Sequence, residues 1–121
     1  MPIQSLILFT RRLEKYKIQI SSRAEQDIYE IYLFIISKNN ASVIGKRLIE
    51  KIQSAIISLE FFPYRHKRLN SAFQFGVEIR IMPVHKYLIF YYIDKTKRIV
   101  YIIRVLYHKR DYLDELQIEK R

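Results

Sequence analysis

The spacing of apolar residues changes along the chain and separates helical segments from extended ones. Residues 16–21 alternate polar and apolar side chains, with Ile18 and Ile20 on one face, which is the two-residue period of a half-buried strand. Residues 22–25 then fit a capping box, in which the hydroxyl of Ser22 accepts from a backbone amide and Glu25 reaches back to the first one. The sequence therefore predicts a first strand followed directly by a helix.

Two amphipathic helices are predicted after this strand. In the first, apolar residues form two adjacent stripes at spacings of three and four, so we expect this helix to be covered on two sides. The pattern breaks at residues 38–40, and a second helix begins near Ser42 and ends before Pro63. The two helices should form a hairpin. The stripes are Ala24, Ile28, Ile31 and Ile35 with Tyr29, Leu33 and Ile36 in the first helix, and Leu48, Ile52, Ala55 and Leu59 with Ile49 and Ile56 in the second.

Three further strands are predicted beyond a basic loop. Residues 76–82 alternate, with Arg80 and Met82 on the polar face, and residues 87–93 are continuously apolar and aromatic, as in a central strand covered on both faces. Residues 98–107 form the last long strand. Strands this close in sequence pair most simply as an antiparallel meander. We predict an α+β fold in which an N-terminal strand, a helical hairpin and a three-stranded antiparallel meander form one sheet.

Length and composition indicate one domain. The 121 residues suffice for a single core, which we assign to residues 16–113, with an N-terminal extension at 1–15 and a tail at 114–121. The chain contains no Cys, which excludes a disulfide framework, a thiolate metal site and a Cys nucleophile. We expect a cytoplasmic protein with no metal or other cofactor. The apolar residues 6–9 are far fewer than the ~20 of a membrane span, so no membrane contact is expected.

The positive charge is concentrated in one half of the chain. The net charge is +10, and residues 61–110 hold eleven Lys or Arg against Glu78 and Asp94, a local charge of +9. Such a field attracts polyanions, which means RNA, DNA or an acidic protein. Solubility alone is the alternative explanation.

Five residues have the chemistry for metal-free cleavage of RNA. That reaction needs groups to move protons and fixed cations beside the phosphate. Arg80 lies on the polar face of its predicted strand, His85 and Lys86 lie in the next turn, and Arg104 and His108 share a parity on the last strand. All five could meet on one face of the sheet. The alternatives are structural roles for the two arginines and ordinary uses for the histidines.

A second set of residues could bind a phosphate backbone. Arg65, Lys67 and Arg68 form a basic run in the predicted loop, although a solvated loop is the alternative. Tyr107 could stack on a base, whereas most tyrosines at strand positions should pack in the core or across strands. Arg110 completes the predicted binding set.

The order of elements and three stretches of sequence resemble the RelE/ParE toxin superfamily, and within it the ParE or plasmid-stabilisation branch. These stretches are residues 22–28, residues 76–91 and residues 104–111, and the resemblance covers about residues 16–113. It implies a toxin that a small acidic antitoxin holds inactive in a higher-order complex. The charged patch and exposed apolar surface of the toxin would be covered by this partner.

The resemblance leaves the target open, because members of a superfamily share a fold and not a function. ParE-like members poison DNA gyrase, whereas RelE-like members cut mRNA in the ribosomal A site through a ribose 2′-hydroxyl. Gyrase inhibition is our leading hypothesis, since it needs only a binding surface while cleavage needs several groups in productive geometry. The long apolar hairpin also looks more like ParE. A ribosome-dependent mRNA endoribonuclease is the second hypothesis, and a binding module without toxicity is the third.

Overall fold

The predicted order of strand, helical hairpin and meander is confirmed in a computed structural model, which describes residues 15–39, 42–69 and 76–109. Most of the predicted N-terminal extension, the whole predicted tail and Arg110 lie outside these residues. Within them, no helix has the length and apolar character that crossing a membrane requires. The elements are β1 (Lys17–Ile20), α1 (Ser22–Asn39), α2 (Ser42–Ser58), β2 (Arg80–Val84), β3 (Tyr87–Asp94) and β4 (Ile99–Tyr107).

The four strands form one mixed sheet in the order β1-β4-β3-β2. The predicted antiparallel meander of β2, β3 and β4 is confirmed. The first strand pairs with the last one in parallel, with Lys17 opposite Ile99 and Ile20 opposite Ile102. The strand β4 therefore lies in the interior of the sheet between β3 and β1.

The cap of α1 is one residue earlier than predicted. The hydroxyl of Ser21, not that of Ser22, accepts from the backbone amide of Ala24 at 3.0 Å and itself donates to the carbonyl of Ile103 at 3.1 Å. The backbone amide of Ser21 also donates to Ile102, which continues the pairing of β1 with β4. A single serine thus ends the strand, starts the helix and joins both to β4, a role that a local capping pattern does not predict.

The main core lies between the helical hairpin and one face of the sheet. The predicted stripe of α2 is confirmed at Ile52 and Leu59, which are fully buried together with Ile56. Gly45 lets the two helices approach closely, because a Cβ atom there would stand 3.2 Å from Cγ2 of Ile36. This close approach explains a glycine that would otherwise only weaken the helix.

Two sequence expectations about covered faces are wrong. The side chains of Tyr29 and Leu33 on α1 are 57% and 41% exposed, because α2 covers the neighbouring side of the helix instead. The strand β2 begins at Arg80 and not at residue 76, and both of its faces are covered. Met82 lies in the main core, whereas Ile79 joins a second small cluster on the opposite face with Leu69, Phe90 and Leu106. The polar face predicted for this strand is therefore absent at Met82.

Candidate functional site

A groove of about 1040 Å³ opens between the helical hairpin and one end of the sheet. Its walls come from α1, the first half of α2, the β2–β3 turn and the end of β4. Apolar residues line its floor, and basic side chains from three of these elements stand around it. The floor includes Ile31, Ile35, Leu48 and Val105, and the basic residues are Lys38, Arg47, Lys51 and Lys86.

A buried ion pair forms part of this groove and joins α1 to β4. The strand β4 continues beyond Ile102, where its pairing with β1 ends. Asp27 of α1 lies beside this unpaired part of β4. Its carboxylate accepts from the backbone amide of Val105 at 2.9 Å and from two nitrogens of Arg104, Nε at 2.7 Å and Nη2 at 3.0 Å. Both side chains are at most a tenth exposed. Arg104 therefore holds the helix against the sheet.

Sequence reasoning missed Asp27, although a signal was present. This acid lies three residues after Ala24 and four before Ile31, which places it on the apolar stripe of α1. A charged residue at a buried position needs a partner of opposite charge. The buried carboxylate could thus have been recognised from the helical period, but not paired with Arg104.

The other predicted sheet arginine, Arg80, binds a different set of partners. Its Nη1 donates to the carbonyls of Tyr64 and His66 at 3.1 and 2.7 Å, and its Nη2 lies 2.7 Å from Oε1 of Glu78. The guanidinium also lies over the ring of Tyr64, 5.2 Å from its centre. Arg80 ties the segment after α2 to the sheet. Arg80 contacts Glu78 and Arg104 contacts Asp27, so the two guanidinium groups are held by different carboxylates.

Two of the remaining catalytic candidates, His85 and Lys86, line the groove, and the third, His108, contacts Lys86. His85 and Lys86 form the two-residue turn between β2 and β3, and they line the groove with Tyr107. Both the backbone amide and Nδ1 of His108 contact the carbonyl of Lys86, at 2.8 and 2.9 Å. The ring of His108 lies 4.9 Å from that of Tyr107. The antiparallel pairing of β3 with β4 explains this arrangement, because it brings the turn beside the end of β4.

The contact between His108 and Lys86 orients the imidazole. A carbonyl oxygen can only accept, so the ring donates through Nδ1, and Nε2 is the nitrogen left for other partners on the exposed side chain. His85 has a backbone φ of 54°, a conformation that favours glycine in such hairpin turns. Nearby, burial raises the pKa of Tyr87, and the neighbouring Tyr107 raises it further. This end of the groove therefore offers a cation at Lys86, and the imidazole of His108 lies beside it.

The predicted basic run lies at the other end of α2. Arg65 donates to the carbonyls of Phe61 and Phe62 at 2.7 and 3.1 Å and to the hydroxyl of Ser58 at 2.8 Å, so it closes the end of the helix. Lys67 is exposed, and Arg68 lies 3.5 Å from Glu78 with its side chain 62% exposed.

His66 lies between Arg65 and Lys67 in the sequence, and its ring packs against Tyr91. Its ring meets the edge of Tyr91 at 6.3 Å, and its buried Nε2 has no hydrogen-bond partner among the described residues. Burial lowers the pKa of His66, and the charge of Arg65 lowers it further. The hydroxyl of Tyr91 donates to the carbonyl of Pro63 at 2.6 Å, and burial raises the pKa of Tyr91 to about 12. These contacts make the segment a packed part of the fold.

Among residues 15–39, 42–69 and 76–109, no group of three or more His, Cys, Asp or Glu side chains is placed so that it could hold a metal ion.

Comparisons with known proteins find one matching family and several structures of similar fold. A family model described as the ParE toxin of the type II toxin-antitoxin system parDE matches residues 18–112. The fold is similar to a chromosomal ParDE toxin-antitoxin system from P. aeruginosa, with a TM-score of 0.62, 9% identity and coverage of 78% of this chain and 97% of that chain.

Two RelE-type structures are similar as well. The toxin-antitoxin complex RelBE2 from Mycobacterium tuberculosis has a TM-score of 0.57 and 19% identity, over 77% of this chain and 98% of that chain. The archaeal RelE-RelB complex from Pyrococcus horikoshii has a TM-score of 0.51 and 12% identity, over 79% and 98%. A search of curated proteins finds no match. At these identities, the likeness to solved structures concerns the fold alone.

Proposed function

Because the chain belongs to the family of ParE toxins of type II toxin-antitoxin systems, we propose that it inhibits DNA gyrase and is neutralised by a cognate antitoxin. The family match is the observation that carries this proposal. The contacts of Arg80 and Arg104 support it, because both guanidinium groups are held by carboxylates of the fold. A protein that acts by binding needs a surface, whereas a nuclease needs cations free to meet a phosphate. We place the protein in the cytoplasm, where gyrase acts.

The experiment that tests this proposal follows macromolecular synthesis after the toxin is induced. DNA, RNA and protein synthesis are measured separately in the first minutes, and supercoiling by purified gyrase is assayed with the full chain. We expect replication to stop first, with signals of DNA damage, and supercoiling to be inhibited. A prompt stop of translation with cut mRNA, and gyrase that works normally, would contradict the proposal.

The groove is the place where we propose that the antitoxin binds. Three solved structures to which the fold is similar are toxin-antitoxin systems or complexes. An apolar floor with basic side chains around it suits an acidic amphipathic segment, whose apolar face enters the groove while its carboxylates meet the cations. Assembly into a higher-order complex belongs to the same proposal.

Two neighbouring residues on α2 provide a matched test of the groove. Ile44 lines the groove and is 60% exposed, whereas Val43 is 62% exposed and lies outside the lining. Ile44→Ser should weaken binding of the antitoxin by about tenfold, because contacts of this kind at an interface contribute about 1 kcal/mol or more. Val43→Ser should leave the affinity nearly unchanged. Titration calorimetry with the antitoxin encoded beside the toxin gene measures both affinities. Equal effects of the two substitutions would contradict the proposal that the antitoxin binds in the groove.

A ribosome-dependent mRNA endoribonuclease is the second candidate function, and the orientation of His108 favours it. Nε2 of His108 could take the proton of a ribose 2′-hydroxyl, and Lys86 could stand beside the phosphate. His85 lies in the same turn, as a further acid or base. In this function, Arg80 and Arg104 would contribute only through their support of the fold.

The double change His85→Ala with His108→Ala separates the two functions. A gyrase inhibitor should keep most of its toxicity, whereas a nuclease that transfers protons through imidazole should lose roughly 100-fold or more in rate. Antitoxin binding by the variant serves as the control for folding. Loss of toxicity in a variant that still binds antitoxin would favour the nuclease.

A further inference from the structure

A second exposed surface lies at the far end of α2 from the start of the groove. It consists of the rings of Phe61, Phe62 and Tyr64, which are 39%, 63% and 44% exposed, and of the cations Lys67 and Arg68. We call this set the aromatic–basic surface. None of these five residues lines the groove, and Phe61 follows Lys51, the last residue of α2 in the groove lining, by ten positions. The two surfaces are therefore separate.

The backbone holds the ring of Phe62 outward at a cost. Phe62 has φ 52° and ψ 52°, the left-handed region that a bulky residue rarely adopts. Hydrogen bonds from Arg65 to the carbonyls of Phe61 and Phe62 maintain this turn. Since the ring is mostly exposed, it contributes little to the core in return. A glycine would satisfy the backbone better, so the ring itself calls for an explanation.

The cations of this surface keep much of their charge available. Glu78 is the acid in contact, and its Oε1 lies 2.7 Å from Arg80 but 3.5 Å from Arg68. Arg80 is thus the closer partner, and the side chain of Arg68 stays 62% exposed. Lys67 is also exposed. Exposed rings and exposed cations therefore lie within eight consecutive residues.

We propose that the aromatic–basic surface binds single-stranded nucleic acid. Bases would stack on the rings of Phe62 and its neighbours, and phosphates would lie against Lys67 and Arg68. Flat aromatic rings beside cations are the combination that binds single strands without regard to sequence, because every base has a face to stack and every nucleotide carries a phosphate. A duplex hides its base faces and should bind less well. An apolar protein segment would not need the cations. This activity is separate from the inhibition of gyrase.

The first test uses the full wild-type chain and three labelled probes of equal length. Fluorescence anisotropy compares oligothymidylate, oligouridylate and an abasic deoxyribose-phosphate oligomer of the same charge. We expect each base-bearing strand to bind about tenfold more tightly than the abasic strand, as stacking of one base would give. A preference for one of the two would identify DNA or RNA as the ligand. Equal affinity for all three probes would overturn the proposal, because charge alone would then account for the binding.

The second test removes the ring of Phe62 without straining its backbone. Phe62→Gly suits the left-handed conformation, and Tyr29→Ser removes a similarly exposed ring from α1, outside both surfaces. Oligothymidylate should bind about tenfold more weakly to Phe62→Gly and unchanged to Tyr29→Ser, with thermal melting as the check of folding. Lys67→Ala should lower the slope of log affinity against log salt by about 0.7.

An oligonucleotide affinity that stays unchanged in a folded Phe62→Gly protein would contradict this assignment. If the same variant also captured less gyrase, the rings would be assigned to a protein partner. Supercoiling assays on the same variants keep this proposal distinct from the proposed function, since either can fail without the other.

Discussion

The sheet arginines and the β2–β3 turn contain the same kinds of residue in different situations. Arg104 and Arg80 are held by Asp27 and Glu78, with 10% and 14% of their side chains exposed. His85 and Lys86 are exposed at the groove, and His108 is oriented by a backbone carbonyl. The difference shows that contacts with acids and backbone carbonyls of the fold decide which cations can serve a partner. The local charge of +9 overstates the charge that is available.

The largest expected effect on stability comes from removing the carboxylate of Asp27. Asp27→Ala should lower the free energy of unfolding by about 3–5 kcal/mol, because it leaves the guanidinium of Arg104 and the backbone amide of Val105 without this carboxylate in a buried place. Urea unfolding measures the loss. Glu60→Ala is the control, since Glu60 lies 3.8 Å from a Lys15 side chain that is 65% exposed, and this contact should contribute at most about 1 kcal/mol. Similar losses in both variants would refute the structural role of the buried pair.

Removal of Arg80 should have a smaller effect. Arg80→Ala should cost about 1–3 kcal/mol, because two carbonyls and Glu78 lose a donor at a position that is only partly buried. Arg68→Ala, on the same carboxylate but more exposed, should stay within about 1 kcal/mol. Toxicity measured at a temperature where both variants are folded should be retained. Loss of toxicity in a folded Arg80→Ala protein would instead place this arginine in the active surface.

A change in the turn should act in the opposite direction. His85→Gly removes a side chain from a backbone with φ 54°, which relieves about 1–2 kcal/mol of left-handed strain and costs about 0.5–1 kcal/mol of chain entropy. The protein should become more stable by about 0.5 kcal/mol, as measured by urea unfolding. Reduced toxicity in this more stable variant would indicate that the strained turn serves function. A less stable variant would show that His85 supports the fold.

The smallest expected effect is the dependence of stability on His66. Because burial lowers the pKa of His66 below its ordinary value of 6.5, the unfolded chain binds this proton more readily than the folded one. The contribution of His66 to the free energy of unfolding should be fully present above pH 6.5. It should be lost as the pH decreases from 6.5 towards the lowered pKa of the folded state. His66→Phe should reduce this slope in urea unfolding at several pH values. An unchanged slope would mean that other groups cause it.

Most of the fold follows from local patterns, and its exceptions are contacts between distant residues. The alternation in β1, the stripes of α2 and the apolar run of β3 all act within a few residues, and each element is found. The exposed stripe at Tyr29 and Leu33 depends on where α2 lies, and the parallel pairing of β1 with β4 depends on the whole chain. Neither could be obtained from periodicity.

The candidate site divides in the same way. His85, Lys86 and His108 could be grouped from sequence, because one hairpin brings the turn beside the end of β4. Arg104 could not be assigned, since its partner Asp27 is 77 positions away. The contacts of Arg80 with backbone carbonyls could not be predicted from the sequence, because every residue has a carbonyl. Side-chain chemistry therefore identifies candidates, and only tertiary contacts decide which of them remain available.

The pairing of the first strand with the last one has a consequence for synthesis. Lys17 lies opposite Ile99, so the sheet closes only after a loop of more than eighty residues has been made. On the ribosome, the β1–β4 ladder cannot form before residue 99 has been added, and the groove lacks Tyr107 until later still. The groove is therefore completed only once Tyr107, its last lining residue in chain order, has been added.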